Sequence, residues 1–350
     1  MTQFLQLHFL TSYPPANLNR DDLGRPKTAI MGGRQRLRIS SQSLKRAWRT
    51  SEFFKLDKNP DGLAAHVGVR TKDMGGRVLS RLLEGGVDEG QAREWAGRIA
   101  EVFGKLKKDG LEIEQLAHFS PAEEAAVMAL ADRLARTKEP PGEDDLNLLT
   151  KVETAVDVAM FGRMLAGKTE FNVEAAVQVA HAVTVHETAV EDDFFTAVDD
   201  LNTGREDLGA GHMGETEFGA GLFYLYVCVN GDLLREHLKY KPGLAVKAGR
   251  ALVQAAAMVA PTGKQNSFAS RAYASYILAE KGQRQPRSLS VAFLRPVKGE
   301  DMLAGAIDRL EETRTKMDQA YGPLAEGYRV MNVHSGVGTL EEIVAFVEAV

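Results

Sequence analysis

The sequence predicts an α+β fold in which a strand–helix–strand–strand–helix–strand order is interrupted by a long helical insert. Three observations carry this. Strand-period segments lie in both the first and second halves of the chain. A helix-period stretch rich in Ala, Glu, Arg and Leu fills residues 63–165. Between them, Arg34–Arg49 changes from period two to period 3.6 while remaining densely positive. A chain of 350 residues suits roughly two domains, or one domain with a large insertion. Its 44% hydrophobic content suits a soluble globular protein.

Phe4–Leu10 alternates Phe4, Gln6, His8 against Leu5, Leu7, Phe9 and reads as the first strand, ended by Tyr13-Pro14-Pro15. Residues 17–33 are polar, with Pro26, Gly32 and Gly33, and read as a long loop. In Arg34–Ile39, Arg34, Arg36 and Arg38 fall on one side and Leu37 and Ile39 on the other, a short strand with a cationic face. From Ser41 the period changes. Gln42, Lys45, Arg46 and Arg49 recur at i, i+3, i+4, i+7, and Leu44, Ala47 and Trp48 form an apolar stripe. That is an amphipathic helix, opened by a serine able to cap it, running to about Phe54 and stopped by Asn59-Pro60-Asp61-Gly62.

The insert places Val78, Leu79, Leu82, Leu83 and then Trp95, Ile99, Val102, Phe103 at helical spacing. Gly85-Gly86, Lys108-Asp109-Gly110 and Glu139-Pro140-Pro141-Gly142 separate its helices. Strand character returns over Phe171–His186 and again over Phe218–Asn230, with an Asp- and Gly-rich loop between them. Gly243–Ala260 reads as a helix, Ser288–Leu294 as a strand closed by Pro296, and Met302–Gln319 and Leu340–Val350 as C-terminal helices. With the insert removed, the order is the ferredoxin-like one shared by RNA-recognition modules. There is no internal repeat or low-complexity tract.

Charge sets the functional class. Arg20–Arg49 holds nine Lys or Arg against two Asp, a local net of +7 in a chain whose formal net charge is −5. This is a mildly acidic protein with one local positive site, suited to a polyanion. A solvated charged helix is the competing reading. It leaves the Arg34–Arg38 row unexplained, because like charges along one strand face repel.

Other chemistry is thin. The single cysteine, Cys228, allows no disulfide within the chain, and the intracellular reading follows. Met1–Leu10 lacks the order of a signal peptide and no apolar run approaches a membrane span of roughly 18 residues, so the expected location is the cytoplasm. His181 and His186 fall on opposite strand faces, and His212-Met213-Gly214-Glu215 lacks metal-site spacing. Thr262-Gly263-Lys264-Gln265 has neither the first glycine nor the following Ser/Thr of a nucleotide loop, and reads as a basic loop touching a phosphate. Asp21 and Asp22, beside the basic patch, are the most credible catalytic candidates as holders of a divalent metal at a phosphodiester. Salt bridges to Arg20 or Arg25 are the alternative. Asp192-Asp193-Phe194-Phe195 and Asp199-Asp200 precede six glycines between 204 and 221, as in a long hairpin or surface loop; Phe194 and Phe195 read as core.

Asn17-Leu18-Asn19-Arg20-Asp21-Asp22 and the run from Gly32-Gly33-Arg34 through Ser40-Ser41-Gln42-Ser43-Leu44-Lys45-Arg46-Ala47 closely resemble the CasC-type backbone subunit of the type I-E CRISPR Cascade complex. So do Gly162-Arg163-Met164, Phe195-Thr196-Ala197-Val198-Asp199-Asp200-Leu201, His212-Met213-Gly214 with Glu217-Phe218, and Gly263-Lys264-Gln265. The resemblance covers residues 1–270 in motif order; the insert and the C-terminus match in length and character only.

The resemblance implies a hand-like α+β fold: a ferredoxin-like (RRM-like) palm, a helical fingers insert and a β-hairpin thumb. The corresponding segments are residues 1–58 (palm, with the basic strand and helix), 59–166 (fingers), 167–187 (palm strand), 188–220 (thumb) and 221–350 (palm, with C-terminal helices). It implies a non-catalytic subunit without cofactor or metal. Its partners would be crRNA, copies of itself in a filament, other Cascade subunits, and target DNA through the guide, with no membrane. The implied RNA-binding residues are Asn19, Arg20, Lys27, Arg34, Arg36, Arg38, Ser40, Gln42, Lys45, Arg46, Arg49, Arg163, Met164, His212, Met213, Lys264 and Gln265. Among them Met164, His212 and Met213 would wedge apart a displaced base. Related type III backbone subunits cut target RNA with a loop aspartate, which keeps Asp21 and Asp22 as the alternative. Grip on phosphates and sugars suits a protein that must hold any spacer and leave base edges free.

Overall fold

Strand β1 (Phe4–Ala16) lies between two other strands and is buried from Leu5 through Thr11, on both faces. Around it are β2 (Thr28–Met31), β3 (Arg34–Ile39), β4 (Val69–Thr71), β5 (Ala117–Phe119), β6 (Val177–Val179), β7 (Ala182–Thr184), β8 (Glu191–Ala197), β9 (His212–Asn230), β10 (Ala274–Gly282) and β11 (Gly327–Asn332). The helices are α1 (Ser41–Arg49), α2 (Glu52–Lys55), α3 (Met74–Glu84), α4 (Glu89–Glu101), α5 (Pro121–Thr137), α6 (Val156–Phe161), α7 (Gly231–His237), α8 (Pro242–Met258), α9 (Gln265–Phe268), α10 (Met302–Tyr321) and α11 (Leu340–Glu348). This computed structural model describes residues 3–55, 62–108, 110–149, 155–197, 212–239 and 241–348.

The chain divides into two compact units, residues 1–53, 179–229 and 249–350, and residues 54–178 and 230–248. The first unit is α+β. Its sheet runs β11-β10-β1-β9-β7-β3-β2, with β8 paired to the first part of β9. The pairs β1–β10, β10–β11, β2–β3, β3–β7, β7–β9 and β8–β9 are antiparallel. One core gathers Leu10, Tyr224, Tyr276, Leu278, Phe293, Ile307 and Leu310. The β2–β3 hairpin turns through Gly32 (φ 59°) and Gly33 (φ 72°), the left-handed pair a two-residue hairpin loop needs. A Cβ at Gly32 would lie 1.8 Å from the Leu294 carbonyl oxygen, so that turn admits no side chain.

The second unit packs α3, α4 and α5 around Val78, Leu82, Trp95, Ile99, Val127 and Leu134. Local sequence sets the helix ends. Asp88 accepts from the Gly90 and Gln91 amides at the start of α4. Ser120 and Glu123 form a reciprocal capping box with Pro121 in the first turn of α5. Among the described residues no helix is long and apolar enough to cross a membrane.

Several element expectations are corrected. β1 continues through Pro14 and Pro15 to Ala16, past a register shift at Leu10/Thr11. The loop over 17–33 contains β2. α1 stops at Arg49, where the Thr50 hydroxyl returns to the Arg46 carbonyl, and α2 is separate. Phe171–His186 is not one strand but a 3-10 turn at Thr169–Phe171 followed by β6 and β7. Ser288–Leu294 is not a strand: Ser290–Phe293 forms a 3-10 turn, and the strand is β10. The stop signal at Asn59-Pro60-Asp61, residue Asp109 and the last two residues of the chain lie outside the described residues.

Candidate nucleic-acid interface

Helix α1 is anchored by Leu44 and Trp48, both buried, which leaves the opposite stripe outward. On that stripe Gln42 and Arg46 are exposed and Lys45 and Arg49 half-buried, as the period requires. The cap is Ser40 rather than Ser41: the Ser40 hydroxyl accepts from the Ser43 amide. Ser40 is itself buried, so its hydroxyl belongs to the helix start rather than to a surface. Arg46 and Arg49 lie in the last turn, where cations complement the helix dipole.

The loop before β2 is tied to α1 through backbone bonds. The Asn19 side-chain oxygen accepts from the Ser40 amide at 2.8 Å. The Lys27 amide donates to the Asn19 carbonyl at 2.9 Å, and the Arg38 amide donates to the Lys27 carbonyl at 2.7 Å. Asn17, fully buried, donates to the carbonyls of Gly24 and Glu217, both at 2.9 Å. These bonds place Asn19, Lys27 and Arg38 near the start of α1, with Arg20 exposed on the same loop.

A residue the sequence offered only as a poor metal ligand completes this cluster. His181 Nδ1 accepts from the Ser41 amide at 3.0 Å. Partial burial and the charges of Arg38, Lys27 and Lys45 hold its pKa below the usual histidine value. The bond spans 140 positions, and no local motif announces it.

Three expected grips have buried side chains. Arg36 is 0% exposed; its guanidinium donates to the carbonyls of Thr184 at 2.8 Å and Phe293 at 3.0 Å. The cationic row on β3 is therefore broken, because the Arg36 guanidinium is turned inward onto two backbone carbonyls. Arg163 is buried in the second unit, bonded to both Glu123 carboxylate oxygens and to the Phe171 carbonyl. Ser40 is the cap already described. Arg34 is exposed and pairs with Glu187 at 3.4 Å, a surface contact worth little.

The 261–265 loop packs against the same unit. A Cβ at Gly263 would lie 2.4 Å from the Leu18 carbonyl oxygen, so only glycine lets this loop approach residues 17–18. Lys264 follows in the left-handed region (φ 51°), exposed, and Gln265 is half-buried. The Phe268 ring tilts against Phe218 at 5.9 Å between centroids.

β8 is exposed at all seven positions and pairs with His212–Phe218 of β9. Phe194 is 60% exposed and Phe195 43%, so neither is core. Phe195 covers Gly214 across the pair; a Cβ there would strike the ring. Met213 is 64% exposed. The His212 side chain, Val198-Asp199-Asp200-Leu201 and the glycines at 204, 209 and 211 lie outside the described residues. In the second unit Met164 is 81% exposed beside the buried Arg163.

Asp21 organises its own turn. One carboxylate oxygen accepts from the Leu23 and Arg25 amides, both at 2.9 Å, and the other meets the Arg25 guanidinium at 3.5 Å. The Arg25 amide bond is the main reason its pKa lies below the usual carboxylate value. Asp22 is exposed. Among the described residues no three His, Cys, Asp or Glu side chains converge as a metal site.

A family described as CT1975-like protein (Cas_CT1975) matches residues 5–345. The chain belongs to this CT1975-like family. A solved structure described as "CRISPR RNA-guided surveillance complex, pre-nicking" contains a chain similar to this family member at 29% identity. The match covers 99% of each chain with a TM-score of 0.82. A second, described as "CRISPR RNA-guided surveillance complex", is 24% identical, covers 99% of this chain and 100% of the other, and shares the fold with a TM-score of 0.72. No curated protein matches.

Proposed function

We propose that this chain is a guide-RNA-binding backbone subunit of a CRISPR RNA-guided surveillance complex of the Cascade kind. It polymerises along crRNA by sequence-independent phosphate and sugar contacts and presents spacer bases to target DNA. The observation that carries the reading is the outward cationic stripe of α1, joined to Lys27 and Arg38, on a chain similar over 99% of its length to a chain of such a complex.

The first unit is the RRM-like palm of this reading. Its inner strands run β10-β1-β9-β7, which in the order β1, β7, β9, β10 is the 4-1-3-2 arrangement of a ferredoxin-like sheet. α1 falls between the first and second of these strands, and α8 between the third and fourth. The second unit supplies the fingers, and β8 with the first part of β9 the thumb. Phe194, Phe195 and Met213, exposed on a two-stranded ribbon, have the apolar character of wedges against a displaced base. Met164 has the same character in the fingers.

Holding a guide needs no chemistry at the phosphodiester, and Asp21 is occupied by its own turn. The protein acts as a scaffold rather than an enzyme, in partnership with crRNA, further copies of itself, other subunits of the complex and the paired target strand.

The test is binding to two single-stranded RNAs of unrelated sequence across a salt series. The reading expects similar affinities and the same steep salt slope for both, with no cleavage of guide or complementary RNA in Mg²⁺. Affinity confined to one sequence, or regular cleavage abolished by Asp21→Ala, contradicts it.

A further inference from the structure

The bond between Ser41 and His181 has a consequence for the ring's other edge. A backbone amide is a donor only, so Nδ1 must present its lone pair, and the ring proton of the neutral imidazole sits on Nε2. Among the described residues nothing accepts from Nε2, and the side chain is exposed. The ring is therefore a hydrogen-bond donor of fixed orientation and unused capacity. Protonation at Nδ1 would set two N–H groups against each other and break the bond at the start of α1.

The surroundings identify what that donor meets. Among the described residues, each charged group acting on the ring is a cation, and they come from three elements: Lys27 from the loop before β2, Arg38 from β3 and Lys45 from α1. No carboxylate is among them. Such a cluster gathers anionic oxygen. A fourth cation at its centre would add repulsion before any ligand arrived; a neutral imidazole supplies a directed donor without that cost.

Building on the guide-binding reading, we infer that His181 is itself a guide-contacting residue, its Nε2–H donating to a phosphodiester oxygen held by Lys27, Arg38 and Lys45. The contact is neutral on the protein side. It fixes where the phosphate sits and releases no counterion, so it adds affinity without adding to the salt dependence. It also couples guide binding to the start of α1, because one ring touches both.

Three variants test this in the full-length protein, with affinity for two unrelated single-stranded RNAs measured across a salt series beside the thermal unfolding midpoint. His181→Asn keeps an acceptor near the Nδ1 position and removes the reach of Nε2. It is expected to leave the midpoint unchanged, weaken both RNAs by about three- to tenfold, and leave the salt slope intact. His181→Gln, with an amide donor near the Nε2 position, recovers part of that loss. Lys45→Ala instead lowers the slope by about 0.7.

Unchanged affinity in His181→Asn overturns the inference. So does a loss confined to one RNA, or a slope change like that of Lys45→Ala. A midpoint that falls together with affinity in both histidine variants makes His181 a helix cap alone, and also overturns it. Wild-type protein that binds neither RNA defeats the guide-binding reading itself, which separates the two failures.

Discussion

Arg163 donates from one guanidinium nitrogen to both carboxylate oxygens of Glu123, each at 2.8 Å, with both side chains buried. The same carboxylate accepts from the Ser120 amide and hydroxyl at the start of α5. Removing one partner strands a buried charge. Glu123→Ala or Arg163→Ala is expected to cost about 3–5 kcal/mol of stability in the second unit, read by denaturant unfolding. Wild-type stability in both variants contradicts this. With Arg163 buried in this way, any effect of its variant on RNA is expected to come through folding, with the salt slope of RNA binding unchanged.

Arg36 and Arg38 are two residues apart on β3 and have different roles. Arg36→Ala leaves the Thr184 and Phe293 carbonyls without their buried charged donor. It is expected to lower stability by about 3 kcal/mol, with no change in salt slope. Arg38→Ala is expected to lower the slope by about 0.7 with little effect on stability. Equal slope changes in both would restore the continuous cationic row.

Acid stability follows the buried group at His8, Glu280 and Arg287. Burial opposes ionisation of Glu280, but two hydrogen bonds from Arg287 and the His8 ring 3.3 Å away outweigh it and hold the carboxyl at about 2, against an ordinary value of 4.5. Between those values the unfolded chain binds more protons than the folded one. The stability that Glu280 contributes is complete above pH 4.5 and is lost as pH falls toward 2, by about 3 kcal/mol in total. Burial also lowers the His8 pKa, so a further loss begins below its ordinary value of 6.5. Unfolding free energy measured from pH 7 to 3 should fall with acid, and Glu280→Gln should flatten the lower part of the curve. A flat wild-type profile contradicts the assignment.

Gly263 ties the basic loop to residues 17–18, just after β1. Gly263→Ala forces the 261–265 loop off Leu18, at a cost of about 1–3 kcal/mol. Because Asn19 and Arg20 follow Leu18 directly, guide affinity should fall with stability. Wild-type stability and affinity would show that the loop yields freely.

What the sequence made legible was local. The α1 stripe could be read because four polar and two anchoring positions follow one period within nine residues. Arg36 could not, because its partners lie 148 and 257 positions away and decide its burial. The role of His181, read from the sequence only as a poor metal ligand, was hidden for the same reason, since Ser41 lies 140 positions away. β10 has the Ala, Leu, Glu and Lys of a helix and is buried on both faces, which removes the alternation that marks a strand. Leu289, Val291 and Phe293 alternate as in a strand, yet they belong to a turn that sends Leu289 and Phe293 into the core and leaves Val291 outside.

The most direct test of the central claim is the mass of the complex as guide RNA is lengthened, measured by native mass spectrometry or light scattering with unrelated sequences at each length. A backbone subunit adds copies in regular steps with RNA length, whatever the sequence. A one-to-one complex at every length would contradict the account.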